Sequence, residues 1–214
     1  MTRTTGPNVE TITIDSGKAV INWTGLPSPG VPAPGETATI DFLPSTNTAT
    51  FQGPAAGGNF TVLNRILPTS GAPVQFDGKV ISQLQSAGNP KGGTVYFYSP
   101  GGIVIGSGAV FDVGSLVLTA NDLTWATDGT LGTQFAAATR SAASGKIERG
   151  PTINALTEGS YVALIARRVE QHGTVNVNGT ANYVAGETMT MTIDQGLFDI
   201  SVDVGTTDGN GVVH

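Results

Sequence analysis

A chain of 214 residues, 39% hydrophobic and only 12% charged, is long enough to bury a core as one large all-β domain or two small ones. Its 30 glycines fit a β-solenoid or a turn-rich barrel and exclude a helical enzyme. A formal charge of −6 argues against nucleic acid as a general partner, and a chain without cysteine has no disulfide, no Cys-ligated zinc and no thiol nucleophile.

The first residues, Met1-Thr2-Arg3-Thr4-Thr5-Gly6-Pro7, lack the apolar core of a signal peptide, and no run of about 18 apolar residues follows. Two settings fit: an intracellular protein, or a mature exported segment restarted with methionine. Val212-Val213-His214, which carries no terminal cap, is expected to be a cut end.

Residues 11–23, TITIDSGKAVINW, read as a strand, a turn at Asp15-Ser16-Gly17 and a second strand, with Ile12 and Ile14 alternating with threonine. Residues 27–35 form a Pro/Gly tract that cannot enter a ladder and is taken as a loop. Residues 38–42, 49–52 and 59–67 are further strands, while VISQLQ at 80–85 fits a strand or one helical turn.

Residues 93–119, GTVYFYSPGGIVIGSGAVFDVGSLVLT, hold short runs of Val, Ile and Phe separated by Ser-Pro-Gly-Gly, Gly-Ser-Gly and Gly-Ser. β-Branched and aromatic residues suit pleated, half-buried surfaces, and Gly and Pro permit abrupt changes of direction. Strands so short and closely spaced suit a coil of β-structure better than long hairpins. Residues 123–143 are richer in Ala and are expected to hold a short helix or an excursion from the body of the fold. Residues 145–150, with Lys146, Glu148 and Arg149, read as an exposed hairpin tip. Ile153, Val175 and Leu197 then recur at a weak period, each just after a glycine (Gly150, Gly173, Gly196). A coil turn of about 20–25 residues accounts for that spacing. Residues 161–166 and 189–193 are assigned to its second and third faces.

Chemistry-bearing motifs are sparse. His172 sits in a polar turn and His214 at the end, and no Gly-x-Ser-x-Gly elbow supplies a serine nucleophile. Asp194, Asp199, Asp203 and Asp208 are the densest acidic set. On one strand, however, Asp199 and Asp203 would stand roughly 13 Å apart, too far to share an ion. Gly106-Ser107-Gly108 lacks the third glycine and helix of a dinucleotide fingerprint. The triplets at Asn22, Asn59 and Asn178 are expected by chance in a Thr-rich chain, Trp23 and Trp125 are assigned to packing, and Arg167-Arg168 to a solvated turn. No catalytic residue, metal ligand set or cofactor is assigned.

Gly93, Val95, Phe97, Pro100, Gly102, Ile103, Gly106, Gly108, Ala109, Val113, Gly114, Leu116 and Val117 match the pattern Gly-x-Val-x-Leu-Ile-Asn-Pro-Asn-Gly-Ile-x-Phe-Gly-x-Gly-Ala-x-Val-x-Val-Gly-x-Leu-Val. Upstream, Val62-Leu63-Asn64-Arg65-Ile66 is similar to Val-x-Asn-Arg-Val. Downstream, residues 159–166 with Val169 and Gly173 fit a rung of the form Gly-x-Val-x-Leu-x-Ala…Val…Gly. In pieces and in order the chain resembles the filamentous-haemagglutinin-type two-partner secretion domain, from about residue 9 to 200. It departs at the Asn-Pro-Asn-Gly turn, which is Ser99-Pro100-Gly101-Gly102 here. Ser99 can still make a side-chain turn bond, and Gly101 tolerates positive φ.

The resemblance implies an all-β, right-handed parallel β-helix with an N-terminal cap and extra-helical hairpins. It would be a single domain over 1–214: cap at about 8–60, rungs at about 61–210, excursion at about 123–150. It also implies a secretion-guiding, fold-nucleating module of a large bacterial surface exoprotein or adhesin, recognised by an outer-membrane β-barrel transporter, and it selects the exported setting. Asn64, Arg65, Ser99, Pro100, Gly101 and Gly102 are the expected recognition residues. Further rungs of the full-length protein, and host or matrix glycans, are its other expected partners. A carbohydrate-active β-helix enzyme and a structural unit of a surface fibre or biofilm matrix are the alternatives.

Overall fold

The computed structural model describes residues 1–32, 34–123, 134–137, 144–147, 150–186, 188–194, 197–202 and 212–213. Strand β1 (Thr2–Gly6) folds back antiparallel on β2 (Val9–Thr13). β2, β3 (Lys18–Trp23) and β4 (Ile40–Leu43) then form the three sides of a first rung. The second comprises β5 (Thr48–Gln52), β6 (Thr61–Ile66) and β7 (Val74–Phe76), and the third β8 (Lys79–Gln83), β9 (Thr94–Tyr98) and β10 (Ile103–Ile105). In the fourth, β11 (Val110–Asp112) and β12 (Ser115–Thr119) are followed by β13 (Asn121–Leu123) and β14 (Gln134–Ala137), which leave the coil, before β15 (Ser144–Ile147) closes the third side.

The fifth rung runs through β16 (Thr152–Ala166), long enough to make two sides with an irregularity between Ala155 and Ser160, and β17 (Arg168–Gln171). The sixth is β18 (Thr174–Ala185), a second departure through β19 (Thr188–Asp194) and β20 (Leu197–Val202), and β21 (Val212–Val213). Successive rungs pair in parallel on all three sides. The excursion strands form a separate antiparallel sheet, β13-β14-β19-β20. The molecule is a parallel β-helix with extra-helical strands.

Side chains alternate across each strand, so register stacks like positions into columns running through the interior. One column reads Glu10, Ala49, Val80, Phe111, Ile153 and Val175. Another reads Ile21, Asn64, Phe97, Leu118, Leu164 and Tyr183. Phe76 lies at the centre of the aromatic packing, 4.9 Å from Phe97, 5.2 Å from Phe42 and 5.8 Å from Phe111 between ring centroids, all in edge-on or tilted geometry. Glu10 is the one charged member of its column, and Arg3 of β1 pairs with it. That pair places opposite charges at the head of an otherwise apolar column.

The second side is apolar on its outer surface too. Leu63, Tyr96, Tyr98, Val117, Ala163 and Ile165 form a second buried cluster with Leu123 of β13, and the Tyr96 and Tyr161 hydroxyls lie 3.2 Å apart within it.

Some expectations hold and others need correction. The strand-turn-strand reading of residues 11–23 is met, with the turn at Asp15-Ser16-Gly17 rounding a corner of the coil, because β2 pairs with β5 and β3 with β6. VISQLQ takes the strand alternative, most of it in β8. Thr48, Lys79 and Val110 stand in register at 31-residue intervals, longer than the expected turn, because loops are inserted at the corners. Ile153 and Val175 do stack on adjacent rungs, but Leu197 pairs antiparallel with Asp194 in the outer sheet, as residues 189–193 do with β20. Period-two alternation is the same in a rung and a hairpin, so the pattern alone could not separate them. The stretch read as a hairpin tip contains β15, a rung strand; Gly145 faces Leu164, whose Cδ1 is only 2.6 Å from where a Cβ would stand. The described residues of the 123–143 segment, Leu123 and β14, take the excursion alternative and not the helix: they lie in strands of the outer antiparallel sheet.

Candidate recognition site

The two sequence segments singled out for recognition lie side by side. β6 pairs with β9 so that Asn64 is opposite Phe97 and Arg65 opposite Tyr98, the residue before Ser99. Alternation then sends the two members of Asn64-Arg65 in opposite directions.

Asn64 points inward and is fully buried. Its Oδ1 accepts a hydrogen bond from Trp23 Nε1 at 3.1 Å, and its Nδ2 donates to the Tyr96 carbonyl at 3.1 Å. One amide thus ties the first rung to the third through the second. A buried amide satisfied on both sides costs little to keep and much to truncate.

Arg65 points outward, where Nη2 reaches both carboxylate oxygens of Asp122, at 2.8 and 3.1 Å. Its guanidinium carbon lies 5.5 Å from the Tyr98 ring centre. The pair connects the second rung to β13, where the excursion leaves the coil. Burial, with the Asp122 charge as the lesser cause, pushes the Tyr98 phenol up to about 12, against an opposing pull from Arg65.

The tetrapeptide Ser99-Pro100-Gly101-Gly102 turns the chain from β9 to β10. The Gly102 amide donates to the Ser99 carbonyl at 3.0 Å, closing a four-residue turn with Pro100 in its favoured second position. The positive φ that Gly101 could tolerate is taken by Gly102, at 104°. Gly101 is small for a different reason: a Cβ there would lie 2.3 Å from the Ala72 carbonyl oxygen of the rung below. Ser99 is buried, and its Oγ has no hydrogen-bond partner, so the side-chain turn bond anticipated for it is not made. Pro100 and Gly101 are half-exposed.

The chemically conspicuous residues elsewhere do not converge. His172 is exposed, and its backbone amide donates to Ile147. Asp199 stands opposite Thr192, and Asp194 opposite Leu197, in the outer sheet. Asp203, Asp208, Trp125 and His214 lie outside the described residues. No group of three or more metal-ligating side chains occurs among the described residues. Arg168 pairs with Glu170 at 2.8 Å. Sequence reasoning missed Trp23, Tyr98 and Asp122 as the partners of Asn64-Arg65. The available signal was the position of Tyr98 beside the Ser-Pro-Gly-Gly turn; Asp122 carried none, being 57 positions from Arg65.

The match to known families covers the same region. The family model of the TPS secretion domain matches residues 42–211, which include both Asn64-Arg65 and the turn. No curated protein matches the chain. With parallel rungs, an extra-helical sheet and that match over most of its length, the chain belongs to the TPS secretion domain family, whose domains are non-catalytic signals taking an exoprotein across the outer membrane through a TpsB transporter.

Proposed function

We propose that this chain, acting as one unit over residues 1–214, is the secretion-guiding and fold-nucleating domain of a large bacterial surface exoprotein of adhesin type. The transporter would read Asn64-Arg65 together with Ser99-Pro100-Gly101-Gly102. The observation that carries this reading is the register of β6 against β9, which brings the two segments together at one corner. Arg65, Pro100 and Gly101 reach the surface there, whereas Asn64 is sealed inside. A partner touching Asn64 directly must do so before the rungs close, while the chain is still extended.

Fold nucleation is supported by the asymmetry of the coil's ends. The first is topped by the Arg3–Glu10 pair, while at the other, β18 pairs with β16 and with no further rung among the described residues. An unpaired parallel edge is a template for the next strand of a longer solenoid, and each added rung buries apolar area against the last. Adhesion to host or matrix glycans would belong to those later rungs.

The test is export of the chain behind a signal peptide, with and without a co-expressed outer-membrane barrel partner. Export that depends on the partner and falls on Arg65→Ala, while the purified variant keeps its β-rich circular dichroism, is the expected result. Export indifferent to the partner would sink the proposal, and export untouched by Arg65→Ala and Pro100→Ala together would remove this corner from it.

A further inference from the structure

Arg65 is held in the folded chain by two groups that follow it in sequence. Its guanidinium carbon lies over the Tyr98 ring of the third rung, and Nη2 donates to both carboxylate oxygens of Asp122. Asp122 stands 57 positions on, at the root of the excursion from the fourth rung. Both closures have to be made before Arg65 is engaged, so the contact forms only once the second, third and fourth rungs have coiled. Asn64 is consumed in the same way, since the Tyr96 carbonyl that receives its amide lies 32 positions on.

Asp122 is set for this contact by its neighbours. On β13 it alternates with Asn121 and Leu123, both of them buried. Asn121 Nδ2 donates to the Gly186 carbonyl at 3.0 Å and its backbone amide to Thr119 Oγ1 at 3.0 Å, while Leu123 packs in the outer cluster with Leu63 and Tyr98. Alternation then leaves the carboxylate on the other face, beside Arg65. The pair is not sealed. Of the Arg65 side chain 31% stays exposed, and of Asp122 36%, so a group from another molecule can still compete for the guanidinium. A contact of this exposure is weak enough to exchange.

We propose that Asp122 is the group that takes Arg65 back from the transporter as the chain folds, which makes the ion pair a release contact for the recognition corner. The proposal rests on the reading that the transporter binds Arg65. In the extended chain Asn64 and Arg65 are both open to the partner. In the coil Asn64 is sealed, Arg65 is satisfied by Asp122, and the partner's hold is reduced to the half-exposed Pro100 and Gly101. Asp122 is a positioning residue, acting through Arg65 without touching the partner.

The test titrates the folded full chain onto the detergent-solubilised outer-membrane barrel partner. Asp122→Asn withdraws the charge and keeps the shape, and should bind about fivefold tighter than the unmodified chain, the competition a partly exposed ion pair can offer. Asp122→Glu retains the carboxylate and should stay at the unmodified affinity, and adding Arg65→Gln to Asp122→Asn should remove the gain. Gly114→Ala strains a different corner, against the Gly93 oxygen, and should bind no tighter, which separates release of Arg65 from general loosening of the coil. No gain for Asp122→Asn, a gain that survives Arg65→Gln, or an equal gain for Asp122→Glu or Gly114→Ala would each overturn the proposal. Partner-dependent export left intact by Arg65→Gln would remove the recognition reading itself, and the release with it. Export lost on Arg65→Gln, with no gain on Asp122→Asn, would remove the release alone. Should Asp122→Asn lose its native circular dichroism, Tyr98→Leu, which frees the ring face of the guanidinium, decides by the same criterion.

Discussion

Asn64 and Arg65 are adjacent in sequence and opposite in duty, and their substitutions should part accordingly. Truncating Asn64 strands the Tyr96 carbonyl and the Trp23 indole N–H in or beside the core. Asn64→Ala is therefore expected to cost about 2–3 kcal/mol in denaturant unfolding. Arg65→Ala removes a partly exposed ion pair and one cation–π contact, together about 1 kcal/mol. Loss of export on Arg65→Ala consequently reports recognition, whereas loss on Asn64→Ala also includes folding. The tyrosines of the outer cluster make a second prediction. Burial raises the phenols of Tyr96, Tyr98 and Tyr161 above their ordinary value of 10, Tyr98 to about 12. A raised phenol favours the folded state below the unfolded value and loses that contribution as pH rises through the folded one. Stability should hold up to about pH 10 and fall between there and about pH 12, with phenolate absorbance rising together with loss of structure. Absorbance rising near pH 10 in a still-folded chain would show these rings to be exposed.

At the scale of elements, the coil depends on how closely successive corners approach. Gly114 precedes β12, and a Cβ on it would fall 2.4 Å from the Gly93 oxygen and within 2.7 Å of two Gly92 backbone atoms. All three belong to the rung below and cannot rotate away. Gly114→Ala should therefore destabilise by about 3 kcal/mol, a fall of roughly 6–12 °C in melting temperature for a chain of this size. A scanning-calorimetry shift below about 2 °C would mean that the corners have slack. The strands themselves were largely legible. The runs at 38–42, 49–52 and 59–67 and the central block coincide with β4, β5, β6 and β9 to β12, because β-branched and aromatic runs cut by Gly and Pro have few other uses. β15 was not legible, since Ser144-Gly145-Lys146-Ile147 shows no alternation and owes its strand to neighbours on both sides.

For the whole molecule, the parallel register joins residues between 19 and 46 positions apart, and among the described residues no two strands of one rung pair as a hairpin to lead the way. Loop closure must precede each reward, so folding is slow by topology. Refolding from denaturant, followed by tryptophan fluorescence, is expected to take seconds or longer. Slow folding suits a chain that has to be threaded through a barrel, and the absence of cysteine leaves no cross-link to obstruct it. Complete refolding within milliseconds would remove that kinetic rationale.

The sequence by itself determined the class of structure and the family. Turn chemistry and β-rich runs act locally, and the central motif carries both in one stretch. It also brought Asn64, Arg65 and the Ser-Pro-Gly-Gly turn to notice as words of a pattern, without saying that they touch. Only the tertiary structure decided that they share a corner, that Asn64 faces in and Arg65 out, and that the two late β-runs stand outside the coil. It likewise decided that Gly102, and not Gly101, takes the positive φ. Each of these depends on register between strands tens of residues apart, which is fixed by how interior columns stack and how tightly corners meet, and neither leaves a mark on any single stretch of chain.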